Sequence, residues 1–242
     1  MIRAFWVALG FLTCLPVPRG LPHGGPTAGH SVIMYPLAGL VIGALCGIGA
    51  VVFDGVGAGL RAAIVLSLWV ALTGALHLDG LADWADAWAG GRGDRAKSLA
   101  LLEDPHAGAM AAVALVLLLL VKFAALAEAL GGQAYAPLIL APVLGRTALT
   151  LVLLTTPYVR AGGLGSELVT NLPRRAAIGS AGVTFVVCAF GLGVFATAGA
   201  LATVYLLRRI MIAHLGGCTG DTLGATVEVV EAVTLVTAAF AL

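Results

Sequence analysis

Long apolar runs separated by short polar breaks dominate this chain, and each run can be measured against the ~20 apolar residues that a membrane-crossing helix needs. Ser31 to Phe53 and Ala62 to Leu78 carry no charge. Gly108 to Ala127 is interrupted only by Lys122, and Tyr135 to Thr156 only by Arg146. Ala176 to Leu207 is uncharged over thirty-two residues, too long for one span at about 1.5 Å per residue, which predicts two spans turning near Gly199. The last run, Asp221 to Leu242, carries Glu228 and Glu231. Pro16 to His30 is rich in proline and glycine and reads as a loop, neither helix nor strand. The first fifteen residues end in no small-x-small cleavage site and read as a retained segment, either on the membrane surface or as a short span. The expected fold is all-α: a polytopic integral membrane helical bundle of about six to seven transmembrane helices. Residues 1–242 form a single membrane-embedded domain with one acidic loop at 77–108.

Composition agrees, at 60% hydrophobic, 10% charged and a mean hydropathy of +1.05, outside the range of soluble domains. A net charge of +1 gives no pull toward polyanions, and no nucleic-acid partner is expected. Cys14, Cys46, Cys188 and Cys218 form no CxxC pair, so they read as small apolar fillers rather than a zinc site or disulfide framework.

Charge sets the expected sidedness through the bias of Lys and Arg toward the cytoplasm. With the amino terminus inside, the inner segments hold Arg3, Arg19, Arg92, Arg95, Lys97, Arg160, Arg174, Arg175, Arg208 and Arg209, and the outer loops hold Arg61 alone. This places the acidic loop, Glu167 and Asp221 on the cytoplasmic side and leaves Asp54 and Glu128 outside.

Residues His77 to Gly108 hold six of the twelve acidic residues. On a helix, Asp79, Asp83 and Asp86 fall at i, i+4 and i+7, so three carboxylates share a face. Like charges that close repel unless a cation joins them, and oxygen donors without Cys or paired His favour Mg²⁺ over zinc. The alternative is a solvated acidic helix end. Gly90-Gly91-Arg92-Gly93 offers close backbone approach and a two-pronged grip for a phosphate. Asp94 can cap a short helix that Pro105 stops.

Further along, Asp221 and Glu228 share a helix face with Glu231 beside it, and acids at that depth need a cation, a polar cavity or a shallow position. Gly217, Gly220 and Gly224 suit close helix packing. Arg146, midway along its run, reads as binding an anion or a carboxylate. Lys122 either does the same or snorkels to the outer surface. His77 and His106 are each a general base or a polar residue at a helix end.

These residues resemble the cobalamin synthase family, the adenosylcobinamide-GDP ribazoletransferases. The likeness rests on His77-Leu78-Asp79-Gly80-Leu81-Ala82-Asp83 with Ala85-Asp86 and Gly90-Gly91-Arg92, and extends to Phe11-Leu12-Thr13, Leu15-Pro16-Val17-Pro18, Tyr35-Pro36-Leu37-Ala38-Gly39, Asp104, Gly108, Lys122, Gly145-Arg146, the Gly217 to Ala225 block and Glu231. Trp84, Trp88 and Pro105-His106 depart from the family pattern, a protonated His106 being a partial substitute for a basic residue there. The resemblance implies a Mg²⁺-dependent enzyme of the inner membrane, its site facing the cytoplasm and its chain in contact with the lipid bilayer, with a homo-oligomer as a possible assembly. Its substrates would be adenosylcobinamide-GDP and α-ribazole or its 5′-phosphate, and GMP its by-product. It further implies Asp79, Asp83, Asp86 and His77 as catalytic groups. Asp79, Asp83, Asp86, Asp221 and Glu231 would be metal ligands, and Arg92, Arg95, Lys122, Arg146 and Asp104 would hold substrate phosphates. Two other classes are weighed. A CDP-alcohol phosphotransferase shares the Asp79-Gly80-Leu81-Ala82 opening but has arginine where Asp83 stands, and an ion- or proton-coupled transporter would spread its acids along a pathway.

Overall fold

Runs too apolar for water and too long for a soluble core must satisfy their backbone internally, which in lipid means helices. The computed structural model describes residues 1–22, 24–160 and 164–240. Its helices are α1 (Ile2–Leu12), α2 (Gly25–Ser31), α3 (Tyr35–Val52), α4 (Ala58–Thr73), α5 (Leu76–Gly91), α6 (Arg95–Leu101), α7 (Ala109–Gly131), α8 (Ala136–Thr155), α9 (Leu164–Thr170), α10 (Arg174–Leu192), α11 (Val194–Leu215) and α12 (Gly220–Ala239). Six stretches are long and apolar enough to cross a membrane, α2 running on through a single 3₁₀ turn into α3, and the bent pair α4 and α5 makes up to a seventh. The fold is the expected all-α, multi-pass bundle. At 11 residues, α1 is shorter than a span.

Three boundaries differ from expectation. Pro16 to His30 is not loop throughout, because Pro26 occupies the first turn of α2, where its missing N–H costs nothing. The Ala62 to Leu78 run is broken: Gly74 and Ala75 both take left-handed backbone (φ 59° and 57°), and α5 leaves α4 at 88°. Cys14 sits in this elbow, its N–H donating to the Leu72 carbonyl at 2.8 Å. The long run after α9 turns at Gly193 (φ 85°), six residues before Gly199, which stays helical and packs on Thr237 and Val233 of α12. The terminal run is helical to Ala239, and positions 241–242 lie outside the described residues.

Helices α8 and α12 form the centre, and α3, α5, α7, α10 and α11 surround them. Gly39 and Gly43 of α3 ride on the α8 backbone at Pro142 and Ile139, where a Cβ would collide with carbonyl oxygens. Such close approach is what small residues contribute when lipid removes the hydrophobic drive between helices. Outward, α7 and α10 expose Val116, Leu117, Leu120, Val183, Val186 and Phe190, the apolar surface a bilayer requires. Gly43→Leu should therefore wedge α3 off α8 and destabilise the bundle by about 3 kcal/mol, read as a lower thermal midpoint in detergent, whereas Val187→Leu on the exposed face should leave it unchanged.

Candidate active site

The acidic row lies on α5, directly after the elbow. Asp79 is in its first turn, where a carboxylate favours the positive helix end. It is exposed, while Asp83 and Asp86 are half-buried. Asp83 faces the charges of Asp79, Asp221 and Asp86, and Arg160 is the charge that opposes them. These four carboxylates therefore belong to one electrostatic group. Asp86 has a separate task, accepting from the N–H groups of Gly108 and Ala111 and so capping α7.

Backbone contact holds α5 against α12. A Cβ on Gly80 would stand 2.6 Å from the Asp221 carbonyl oxygen, and one on Gly224 would stand 3.2 Å from His77 Cα. The start of α12 is locked by a reciprocal cap: Thr222 N–H donates to Thr219 Oγ1 at 3.3 Å, and Thr219 N–H donates to Thr222 Oγ1 at 2.9 Å. Just upstream, Cys218 N–H donates to the Pro157 carbonyl at 2.8 Å, and Val159 N–H donates to the Cys218 carbonyl at 3.0 Å. Gly217 meets the Pro157 backbone so closely that no side chain fits. This short pairing brings Arg160 to Asp221, with Nη1 3.5 Å from Oδ2. Its Nε lies 3.8 Å from Glu103 Oε1.

Around this junction is a cavity of about 270 Å³, lined on its polar side by His77, Asp79, Asp221 and Arg160 and elsewhere by groups such as Leu12, Leu149, Leu153 and Leu223. A second cavity of about 250 Å³ shares Arg160 and Asp221 and is bounded by Glu103 and Thr219. Arg160 borders both. Tyr158, half-buried beside it, has its phenol pushed above the ordinary value, chiefly by burial and then by Cys218.

The other predicted residues fall elsewhere. Glu231 is fully buried, with one carboxylate oxygen on Arg146 and the other 2.6 Å from Lys122 Nζ. Lys122 Nζ also lies 2.8 Å from Glu228 and 4.4 Å from the Trp69 ring centre. Glu231 is thus not placed with the aspartates, and Lys122 and Arg146 are not placed to meet a phosphate. These two acids and two bases, deep in the bundle, neutralise one another because no water can. His77 connects this group to the cavity, its Nδ1 lying 3.4 Å from Arg146 Nη2.

On the loop side, Arg92 is exposed and ends α5 in left-handed backbone. Arg95 Nε donates to the Leu215 carbonyl at 2.7 Å, closing the end of α11. Asp94 caps α6 as expected, and α6 ends at Leu101, before Pro105 is reached. Asp104 is exposed and accepts from the His106 N–H at 3.0 Å and its Nδ1 at 2.7 Å, contacts that hold its carboxyl below the usual range. Trp84 is buried and Trp88 lies on the His214 ring, centroids 3.9 Å apart. Of the two indoles that depart from the family pattern, Trp88 thus joins α5 to α11, and Trp84 packs edge-on against it.

Sequence reasoning counted Arg160 only for sidedness and passed over Tyr158. A lone arginine four residues past an apolar run, with aromatic Tyr158 before it, was the available signal. The donors Asp79, Asp83 and Asp221 are the hard oxygen type that suits Mg²⁺, and among the described residues Arg160 is the charge set against their mutual repulsion. As the side chains stand, no three His, Cys, Asp or Glu among the described residues are close enough to hold one ion, so a bound ion would have to draw the carboxylates inward.

The chain matches the family model for cobalamin-5-phosphate synthase over residues 4–239. It is 48% identical over 232 residues to the adenosylcobinamide-GDP ribazoletransferase of Stutzerimonas stutzeri strain A1501, covering 95% of each chain. It is 49% identical over 237 residues to the protein of that name from Pseudomonas aeruginosa strain PAO1, covering 97% of each. For the Pseudomonas savastanoi pv. phaseolicola protein, also so named, identity is 45% over 239 residues, covering 97% of this chain and 98% of the other. No solved structure matches.

The buried charges make a sharp prediction. Lys122→Met leaves Glu228 without its cation and should cost about 3–5 kcal/mol, measured by unfolding in detergent. Pairing it with Glu228→Gln, which leaves Arg146 against Glu231, should recover a large part of that loss; additive losses would show that the charges do not act on one another.

Proposed function

This chain belongs to the cobalamin-5-phosphate synthase family, and from that premise we propose that it is a membrane transferase of the last stage of cobalamin assembly. It joins adenosylcobinamide-GDP to α-ribazole, or to the 5′-phosphate of α-ribazole, and releases GMP. Family membership sets aside the CDP-alcohol phosphotransferase and transporter readings. The observation that carries the mechanism is the meeting of Asp79 and Asp221, from two helices in backbone contact, at one cavity that Arg160 also lines. Transfer from a diphosphate needs this combination: carboxylates for a cation and for a proton, and a guanidinium for the departing phosphate.

In this reading Asp83 and Asp221 would hold Mg²⁺, which when bound would offset the negative charge of the diphosphate, and Asp79 is left free to act as base. The ribazole hydroxyl attacks the phosphorus next to cobinamide, the bond from that phosphorus to the GMP oxygen breaks, and the bonding pair leaves with GMP. An Asp79 carboxylate oxygen takes the hydroxyl proton. Arg160, now between Asp221 and Glu103, turns its planar donors to the leaving phosphate. Arg92, exposed at the end of α5, reaches for outer phosphate oxygens. The site faces the cytoplasm from the inner membrane. In support, the bundle end that carries it also carries Arg174 and Arg208, bonded to the Leu154 and Thr155 carbonyls. At the opposite end Arg61 is spent on Asp54 and the Leu130 carbonyl.

Membranes holding the chain should release GMP from adenosylcobinamide-GDP only when ribazole and Mg²⁺ are both present, and chelation should stop the reaction reversibly. Asp83→Asn should lower turnover by about 100-fold or more with an unchanged thermal midpoint. Normal turnover in that variant removes Asp83 from the mechanism, and absence of GMP release from wild-type membranes with both substrates and Mg²⁺ would overturn the proposal.

A further inference from the structure

Tyr35 is 1% exposed, and its hydroxyl has no hydrogen-bond partner among the described residues. It lines both the 270 Å³ cavity and an adjoining one of about 180 Å³. Ser31, one turn before it, gives its own proton to the Ala28 carbonyl at 2.6 Å. Phe11 stacks on the Tyr35 ring, centroids 6.4 Å apart and planes 22° apart. Leu12, Leu149, Leu153 and Leu168 line the same cavity. An unsatisfied buried hydroxyl is costly, and here leucines line the cavity it borders. A ligand that fits has a flat apolar body with one acceptor atom at its edge.

Resting on the transferase reading, we propose that this cavity is the pocket for the acceptor nucleoside. The base lies between the Phe11 and Tyr35 rings and Leu153, its unsubstituted ring nitrogen accepts a hydrogen bond from the Tyr35 hydroxyl, and the ribose reaches Asp79 and Asp221. The chemistry of the two substrates decides the assignment. A corrinoid macrocycle is far larger than 270 Å³. Guanine carries several donors and acceptors on its edges, more than the Tyr35 hydroxyl among these leucines can meet. The dimethylbenzimidazole of ribazole is bicyclic, apolar and has one free ring nitrogen. The donor substrate is left to the outer side of the carboxylates, where Arg160 and the second cavity lie.

Steady-state kinetics on the full chain in lipid nanodiscs tests this with Tyr35→Phe, which removes the hydroxyl and keeps the ring. Two acceptors are compared: α-ribazole and its riboside analogue with CH in place of the free ring nitrogen. Wild type should prefer ribazole by about tenfold in kcat/KM. Tyr35→Phe should raise the KM for ribazole by about as much, treat both acceptors alike and leave the KM for adenosylcobinamide-GDP unchanged. Leu153→Phe, which narrows the cavity, should raise the KM for ribazole and be relieved by the riboside of unmethylated benzimidazole. The proposal falls if Tyr35→Phe keeps the wild-type preference between acceptors, or if either variant raises the KM of the corrinoid donor instead. Absence of GMP release by wild type with any acceptor would overturn the transferase reading and this proposal together.

Discussion

Four charges buried in an apolar bundle must find one another, and the rest of this structure is arranged so that they do. Lys122 on α7, Arg146 on α8, and Glu228 and Glu231 on α12 come from three separate spans. Each would be expensive alone at that depth. Together they sum to zero and satisfy most of their hydrogen-bonding capacity, although Arg146 Nε stays unpaired. Because every ion pair joins two different helices, sliding any of the three spans by one turn would strand a charge. Electrostatics thus fixes a register that non-directional packing against lipid leaves loose.

From that register the site follows by short range contact. Arg146 meets His77, the His77 backbone meets Gly224, and Gly80 meets the backbone at Asp221. These approaches need residues without side chains, which is why glycines recur on both helices. The acidic row is therefore carried on helices in mutual contact, which is what a catalytic constellation requires if its geometry is to be maintained. The elbow at Gly74 and Ala75 turns the row out of the line of α4 and toward α12.

The cavity so formed has two kinds of lining, the charged Asp79, Asp221 and Arg160 on the one hand and leucines with Tyr35 and Tyr158 on the other. A group-transfer enzyme that joins an apolar base to a diphosphate-activated partner needs such a division. The same gradient places charge near water and apolar walls toward the bundle interior, so the folding preferences of a membrane protein and the binding preferences of the site coincide.

The sequence by itself determined the class of structure, because uninterrupted apolar runs in a bilayer have no alternative to helices. It also determined that Asp79, Asp83 and Asp86 share a helix face, since period alone settles that, and family likeness was legible in the motifs around them. Partnership was not legible. Arg146 reads equally as an anion or a carboxylate ligand, and only the packing of α8 on α12 assigns it to Glu231; Lys122 joins that group instead of snorkelling. The turn at Gly193 rather than Gly199 depends on which glycine has a neighbour to pack against. Arg160 enters the site only because Pro157 to Val159 pair with Cys218, a contact between segments about sixty residues apart. Helical period is a local property written into consecutive residues, whereas the pairing of buried charges is settled by which surfaces meet, and that is decided only when the whole bundle closes.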